Sequence, residues 1–154
     1  MQPHKIRVYL ALYEFTETPE ALTTYLDLQP DRTFRTGDRV GFLRNRDVRK
    51  FNGWIIESGL PWEVDDLSDA FKEHVEAVLK RIEPSLERFA EVAQRSYCEL
   101  AVVLELEAMV QGLPSIAFDK ESLAVLAAIS ANIDFDMYVF GGRKQPNDGC
   151  NRRR

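Results

Sequence analysis

The chain has only two cysteines and no long hydrophobic run among its 154 residues. Cys98 lies in a strand-like segment and Cys150 in a polar tail, so they form no disulfide framework, and we expect both thiols to be free in a reducing compartment. No stretch approaches the roughly 18 to 20 apolar residues that a membrane-spanning helix needs. The first residues also lack a basic region followed by an apolar run. These absences predict a soluble, cytoplasmic protein.

The residues of common catalytic and cofactor sites are equally scarce. The chain has two histidines, and no second histidine or cysteine lies near either of them, so neither predicts a metal site. His74 falls on the apolar stripe of a predicted helix, where a partly buried residue is the simpler interpretation. Neither histidine is spaced along the chain to activate a serine or Cys98, and no segment has the glycine and lysine spacing of a phosphate loop. We therefore expect no catalytic residues, no metal and no cofactor.

Charge is unevenly distributed, although the formal net charge is only −5. Between residues 30 and 53 seven cations face three carboxylates, whereas between residues 63 and 107 twelve carboxylates face five cations. The basic segment could attract an anionic partner, with candidate contacts at Arg35, Arg39, Arg44 and Arg46. The alternative is a loop that its arginines keep soluble. A pI near 5.1 argues against nucleic acid as the partner.

Hydrophobic periodicity predicts strands mixed with helices. Alternating apolar residues predict strands at residues 6–12, 32–40, 53–58, 98–107, 115–118 and 132–140. Apolar residues at helical spacing predict helices after Thr18, Asp66 and Asp119, and the second continues beyond Pro84 as a kinked or separate helix. This pattern predicts one α+β domain over residues 1–140, a two-layer sandwich with amphipathic helices on one face of a mixed or antiparallel sheet. Residues 141–154 are polar and basic and contain glycine, and this composition predicts a flexible tail.

A weak internal similarity adds to this fold. A shift of 101 residues superposes Glu20 on Glu121 and Leu22 on Leu123. Both places would be strand, short capped helix and strand, which favours two βαβ-like units around the long central helices. Chance recurrence of leucines at helical spacing is the alternative.

The most informative pattern is an aromatic and polar stripe on strands that should already be half buried. Since side chains alternate along a strand, Asp134, Asp136 and Tyr138 would share one face while the apolar residues between them point to the core. Tyr9 and Tyr13 occupy the same kind of face in the first strand. We expect this open face of the sheet to be the binding site.

The two aspartates allow a sharper hypothesis. Asp134 and Asp136 would lie roughly 7 Å apart along the strand, a spacing that could flank a cation or supply an acid and a base. A metal site would need further ligands, which Glu105 and Glu107 could supply only if their strand is adjacent. The alternative is a solvated face whose aspartates pair with Arg7 or Arg35 on adjacent strands.

Two tryptophans complete the candidate site. Trp54 lies two residues before Ile56, so a buried tryptophan that anchors the helices is one interpretation. The other interpretation places Trp54 or Trp62 at the rim of the open face, where aromatic residues act as binding anchors. Trp62 follows a proline, and we expect it to be the more exposed of the two.

Taken together, short motifs in a fixed order resemble a known family. They are Tyr9-Leu10-Ala11, Pro19-Glu20-Ala21-Leu22, Gly37-Asp38, Gly53-Trp54, the helix around His74, and the ending Ile133-Asp134-Phe135-Asp136-Met137-Tyr138. Over residues 5–140 the chain resembles the bacterial domain-of-unknown-function family 4279. The resemblance implies a small, single-domain, cytoplasmic bacterial protein and brings no established activity, cofactor or catalytic set. The long basic loop and the arginine tail depart from the family pattern.

Three functions are compatible with these residues. The first is a non-catalytic binding or protein-interaction module that uses the open face toward a protein or a small molecule, and an acidic neutraliser of a basic toxin, in the manner of immunity proteins, is one version. The second is a metal- or carboxylate-dependent enzyme that uses Asp134 and Asp136. The third is a homodimer formed through the exposed aromatic face. No membrane partner is expected.

Overall fold

A computed structural model describes residues 3–41, 47–107 and 114–140. Within these ranges the chain forms six strands and four α-helices. In chain order they are β1 (His4–Tyr13), α1 (Pro19–Leu26), β2 (Arg32–Phe34), β3 (Gly53–Glu57), β4 (Glu63–Val64), α2 (Leu67–Ile82), α3 (Leu86–Gln94), β5 (Tyr97–Glu107), α4 (Lys120–Ala128) and β6 (Asn132–Phe140). The predicted α+β class is confirmed, and the predicted tail at 141–154 lies outside the described residues.

All six strands belong to one mixed sheet in the order β2-β3-β1-β5-β6, with the short β4 beside the start of β1. β1 runs antiparallel to β3 and to β5, and β3 runs antiparallel to β2. β5 and β6 are parallel. Since β1 and β2 both oppose β3, they are parallel to each other. The chain therefore contains two β–α–β units with parallel strands, β1-α1-β2 and β5-α4-β6, and β3 lies between the strands of the first.

The helices cover one face of this sheet, as predicted. Alternate residues of β1 point toward them, and the register places Leu10 of β1 between Ile56 of β3 and Leu100 of β5. These residues, together with Phe71 of α2 and Phe89 of α3, belong to one buried apolar cluster. Period-two alternation in the strands and the apolar stripes of the helices thus produce a two-layer sandwich with one core.

The helix boundaries follow the predicted caps. The Asp66 carboxylate accepts hydrogen bonds from the backbone N–H groups of Ser68 and Asp69, at 2.9 and 3.2 Å. Thr18 and Asp119 cap α1 and α4 in the same way. A 3₁₀ turn over Glu83–Ser85 separates α2 from α3, because a proline at position 84 cannot donate the helical hydrogen bond. No helix in the described ranges is long and apolar enough to cross a membrane.

Three strand predictions were wrong in part. The strand predicted at 32–40 ends at Phe34, and Gly37 follows with a positive φ of 90° in a turn. Residues 115–118 form no strand. The prediction that alternate residues of β6 are buried in the core was also wrong, because every residue of β6 is exposed. β6 is the last strand of the sheet, and the helix layer covers its apolar side only in part.

Candidate functional site

The sheet face opposite the helices, called here the open face, collects the predicted binding residues. β1 contributes Tyr9 and Tyr13 to it, since these alternate with the core residues Val8, Leu10 and Leu12. Register places Tyr97 of β5 beside Tyr13. Asp134 and Asp136 of β6 stand beside Ala101 and Val103 of β5, and Tyr138 stands beside Glu105. The five predicted open-face residues therefore lie on β1 and β6, with β5 between them.

Four rings form an aromatic cluster at one end of the open face. Tyr13 is at its centre: its ring stacks with Tyr97 at a centroid distance of 6.4 Å and with Phe34 at 6.1 Å. Phe51 lies 5.5 Å from Tyr13 and 6.3 Å from Phe34. The rings reach across β5, β1 and β2, and Tyr97 is 41% exposed. Such a row offers apolar area with polar phenol groups at its rim.

A glycine in β3 makes room for one ring of the cluster. Gly53 is buried under the Phe34 ring, which occupies the space where a side chain at position 53 would project. Ala11 and Ala101 are buried on the same face, as is Ile55. The absence of a side chain at Gly53 therefore lets the Phe34 ring lie over β3.

Cations lie against the aromatic rings of the open face. The Arg49 guanidinium lies 4.1 Å from the Phe34 ring centroid. Arg7 and Arg32 lie 5.8 and 5.5 Å from the Tyr9 ring centroid, and both form ion pairs with Glu57 at 2.9 Å. The arginines therefore stack on ring faces, where the ring quadrupole attracts a cation.

Across the sheet the open face becomes acidic. Glu99 of β5 and Asp134 and Asp136 of β6 form this acidic half. Burial raises the pKa of the Glu99 carboxyl, a hydrogen bond from Tyr97 opposes the rise, and the two aspartates add to it. Burial also raises the pKa of Tyr13 to about 12 and the pKa of Tyr9 above its usual value. Both phenols therefore stay protonated at neutral pH and can donate hydrogen bonds.

The aspartates have neither a metal-ligand set nor the predicted arginine partners. In the described ranges no group of three or more histidine, cysteine, aspartate or glutamate side chains could hold a metal ion. β5 is adjacent to β6 as the hypothesis required, but Glu105 pairs with Lys5 at 3.2 Å. Arg7 pairs with Glu57, and Arg35 pairs with Glu20 at 2.6 Å. The alternative in which these arginines neutralise the aspartates was therefore wrong.

The two predicted tryptophans lie in different places. Trp54 is fully buried under the helices, where its Nε1 donates to Thr23 Oγ1 at 2.9 Å and its ring lies 6.1 Å from Phe89. It points to the core because it shares the face of Ile56, so the rim placement was wrong for Trp54. Trp62 is 52% exposed, and Lys5 Nζ lies 4.7 Å from its ring centroid.

The arginine candidates are only partly described. Arg35 forms an ion pair with Glu20. This contact raises the pKa of the Arg35 guanidinium and lowers the pKa of the Glu20 carboxyl. Arg39 is exposed in the turn that bridges to Val48. Arg44 and Arg46 lie outside the described residues. Arg7, Arg32 and Arg49 were missed as site cations, because their contacts with the aromatic rings join residues that are distant in sequence and appear only in the folded structure.

A second polar pair lies away from the open face, and sequence spacing gave no signal for it. Ser58 Oγ lies 2.7 Å from His74 Nδ1, and His74 Nε2 lies 3.1 Å from the Pro61 carbonyl oxygen. A carbonyl can only accept, so Nε2 carries the proton and Nδ1 accepts from the Ser58 hydroxyl. Spacing along the chain predicted no histidine that activates a serine, and it did not reveal that the fold brings His74 into contact with Ser58. Burial lowers the pKa of His74, which favours the neutral ring.

The contacts of the Ser58–His74 pair indicate a structural role. The Leu60 N–H points at Ser58 Oγ at 3.4 Å, so it is not directed at a place where an oxyanion would form. The far ring nitrogen is held by a neutral carbonyl group, whereas catalytic triads use a carboxylate. The contacts fasten the turn at residues 58–61 to α2.

Comparison with known proteins places this chain in a family. The family described as Domain of unknown function (DUF4279) matches residues 4–140. The chain belongs to this family. Its matched region begins at the first residue of β1 and ends at the last residue of β6, so it includes both strands that carry the predicted site. The resemblance inferred from the short motifs is confirmed, while the family description assigns no activity. No curated protein and no solved structure matches the chain.

Proposed function

We propose that this DUF4279 protein is a non-catalytic, cytoplasmic binding module that holds a partner on the open face of its sheet. The observation that carries the proposal is the row of stacked, partly exposed rings, Tyr97 of β5, Tyr13 of β1 and Phe34 of β2. Solvent-exposed aromatic residues supply large contact area at low conformational cost and serve as binding anchors. The rigid sheet beneath them holds the rings in place before the partner arrives.

Charge on the open face supports a partner with complementary charge. Arg49 borders the aromatic cluster, and two further arginines lie on the Tyr9 ring. Glu99, Asp134 and Asp136 make the other half acidic. A partner that places cationic groups over the acidic half and apolar or anionic groups over the rings would bind in one orientation. A basic protein of this kind fits the immunity-like version of the proposal, in which an acidic protein neutralises a basic toxin.

The test compares two sets of equally exposed side chains. The open-face variant combines Tyr97→Ala with Phe51→Ala, and the control variant combines Tyr25→Ala with Leu123→Ala on the helix side. Tyr97 and Tyr25 are 41% and 43% exposed, so the truncations are matched. Each protein is expressed in its own host, purified at low salt and measured by native mass spectrometry.

The expected result is one reproducible additional mass, a protein or a small molecule, on the parent and on the control variant. The fraction of protein that carries this mass should be at least about tenfold lower for the open-face variant. The reason is that aromatic anchors of an interface typically contribute more than about 1 kcal/mol each. Raised salt should also release a basic protein partner, since surface charge pairs are screened. Equal retention by the open-face variant, with circular dichroism showing that it is folded, would contradict the proposal.

A further inference from the structure

No strand in the described residues covers the outer edge of β6. β6 pairs with β5 on one side, and no described strand pairs with its other side. Alternate residues of an edge strand direct their backbone N–H and C=O groups outward, and these groups can bind another strand. At the opposite end of the sheet the edge strand β2 covers only Arg32–Phe34.

β6 lacks several of the usual protections of an edge strand. Natural edge strands are commonly short, interrupted by proline, or charged. The nine residues Asn132–Phe140 include no proline and no lysine, and their two charged residues, Asp134 and Asp136, both lie on the open face. Apolar side chains instead reach solvent: Met137 is 62% exposed and Val139 65% exposed. On the same side the Phe135 ring stacks with Phe71 of α2 at 6.2 Å and is still 37% exposed. The helix layer stops short of this apolar row.

We propose that β6 pairs antiparallel with β6 of a second copy of this chain, so that two sheets join into one. A two-fold axis brings the same strand of each copy together and makes the contact self-complementary. The apolar row of one copy then covers the apolar row of the other. Independently of any partner on the open face, the pairing satisfies the backbone groups of both edges.

The aspartates select the register of this pairing. Directly opposed residues must share a face, and like charges directly opposite destabilise a sheet. An axis through position 134, 135 or 136 would set Asp134 or Asp136 against an aspartate of the second copy. An axis through Met137 sets Asp136 against Tyr138, Phe135 against Val139 and Met137 against itself.

The register with its axis through Met137 also pairs more residues than the register with its axis through Tyr138, which likewise keeps the aspartates from opposing one another. It pairs residues 134–140 of each strand, whereas an axis through Tyr138 pairs only residues 136–140. The Tyr138 hydroxyl can donate a hydrogen bond to the opposing Asp136 carboxylate. Charge and length therefore favour the same register.

A cross-linking experiment tests both the pairing and its register. Met137→Cys and the matched, equally exposed Val139→Cys are each made in a Cys150→Ser background, with Cys98 left buried, and are oxidised mildly. Opposed residues of antiparallel strands have Cα atoms about 4.5 to 5.5 Å apart, within the range of a disulfide. In this register the two positions 139 would lie roughly 14 Å apart. We expect Met137→Cys to form a covalent dimer at least about tenfold faster than Val139→Cys, because disulfides do not form between Cα atoms beyond about 7 Å.

Sedimentation equilibrium of the unmodified full chain gives the second readout. The parent and the control Leu123→Arg should be dimers, whereas Met137→Arg should be a monomer. Salt should strengthen the dimer, because the two Asp136 carboxylates are diagonal neighbours across the joint and salt screens their repulsion. This is the opposite of the salt effect expected for a basic partner on the open face. The failure of one proposal can therefore be distinguished from the failure of the other.

Two outcomes would overturn the inference. If the parent protein stays monomeric at every concentration and salt level, β6 does not pair with a second copy. A strand from a different protein would then be the remaining partner for its edge. Faster cross-linking at position 139 than at position 137 would exclude the proposed register. If Met137→Arg fails to fold, the cysteine variants still decide the question, since both replace a methionine or valine with a small apolar residue.

Discussion

The hydroxyl group of Ser58 lies 2.7 Å from Nδ1 of His74, sixteen positions further along the chain. The serine follows β3, and the histidine is buried in the middle of α2. The hydrogen bond therefore ties the chain leaving the sheet to the longest helix. The pair contributes to stability, and its loss should be measurable without any ligand.

We predict that His74→Ala lowers the free energy of unfolding by about 2 to 4 kcal/mol, because it leaves a cavity and removes both ring hydrogen bonds. Ser58→Ala should cost about 1 to 2 kcal/mol, since it leaves Nδ1 of a buried ring without its donor. Urea denaturation checks both values. Thr24→Ala, which removes an exposed hydroxyl on α1, should stay within about 0.5 kcal/mol of the parent. If Ser58→Ala changes the free energy of unfolding no more than that control does, the Ser58–His74 pair has no structural role.

His74 should also make stability depend on pH. Burial lowers its folded-state pKa below the ordinary value of 6.5, so the unfolded chain binds the proton more readily. Stability is then full above about pH 7 and decreases as pH falls through 6.5 toward the folded pKa. Denaturation curves between pH 8 and pH 5.5 should show this decrease in the parent. The decrease should largely disappear in His74→Gln, and an unchanged slope in that variant would assign the effect to other groups.

Gly53 carries a steric prediction about the aromatic cluster. A Cβ at this position would overlap the Phe34 ring, so Gly53→Ala should destabilise the protein by about 1 to 3 kcal/mol. In a Phe34→Ala background the obstacle is gone, and the same substitution should then cost little. A double-mutant cycle measures the difference. Additive costs would show that the ring does not lie against Gly53 in solution.

Cys98 should be unreactive in the folded protein. Burial is the main cause that raises its pKa to about 12, with the neighbouring Glu99 carboxylate adding to the effect. Only the thiolate is a good nucleophile, so a Cys150→Ser protein should not react with a thiol reagent at pH 8 until denaturant is added. Rapid native labelling would show that β5 opens. Complete labelling in denaturant is the control.

Local patterns predicted much of the fold because they follow local chemistry. The period-two alternation in β1 and β5 and the caps at Asp66 and Asp119 depend on near neighbours in the chain. They survive in the structure with small shifts of boundary. The prediction at residues 32–40 went wrong because Gly37 turns the chain after Phe34, and alternation alone cannot separate a strand from an extended turn.

The candidate site was predictable only in outline. The alternation of Tyr9, Tyr13, Asp134 and Asp136 predicted one shared face. Strand order was needed to show that Arg49 covers Phe34 and that Glu99 lies near the aspartates, because these residues are distant in sequence.

The sequence by itself determined the class of fold, the family, the side of each strand that turns from the core and the composition of the open face, since all of these follow from residue type and short-range spacing. Tertiary structure decided that β6 is an edge strand exposed on both faces, that Trp54 is buried and that His74 meets Ser58. Those outcomes depend on which strands become neighbours and where the helix layer ends, and both are set by long-range packing of the whole chain.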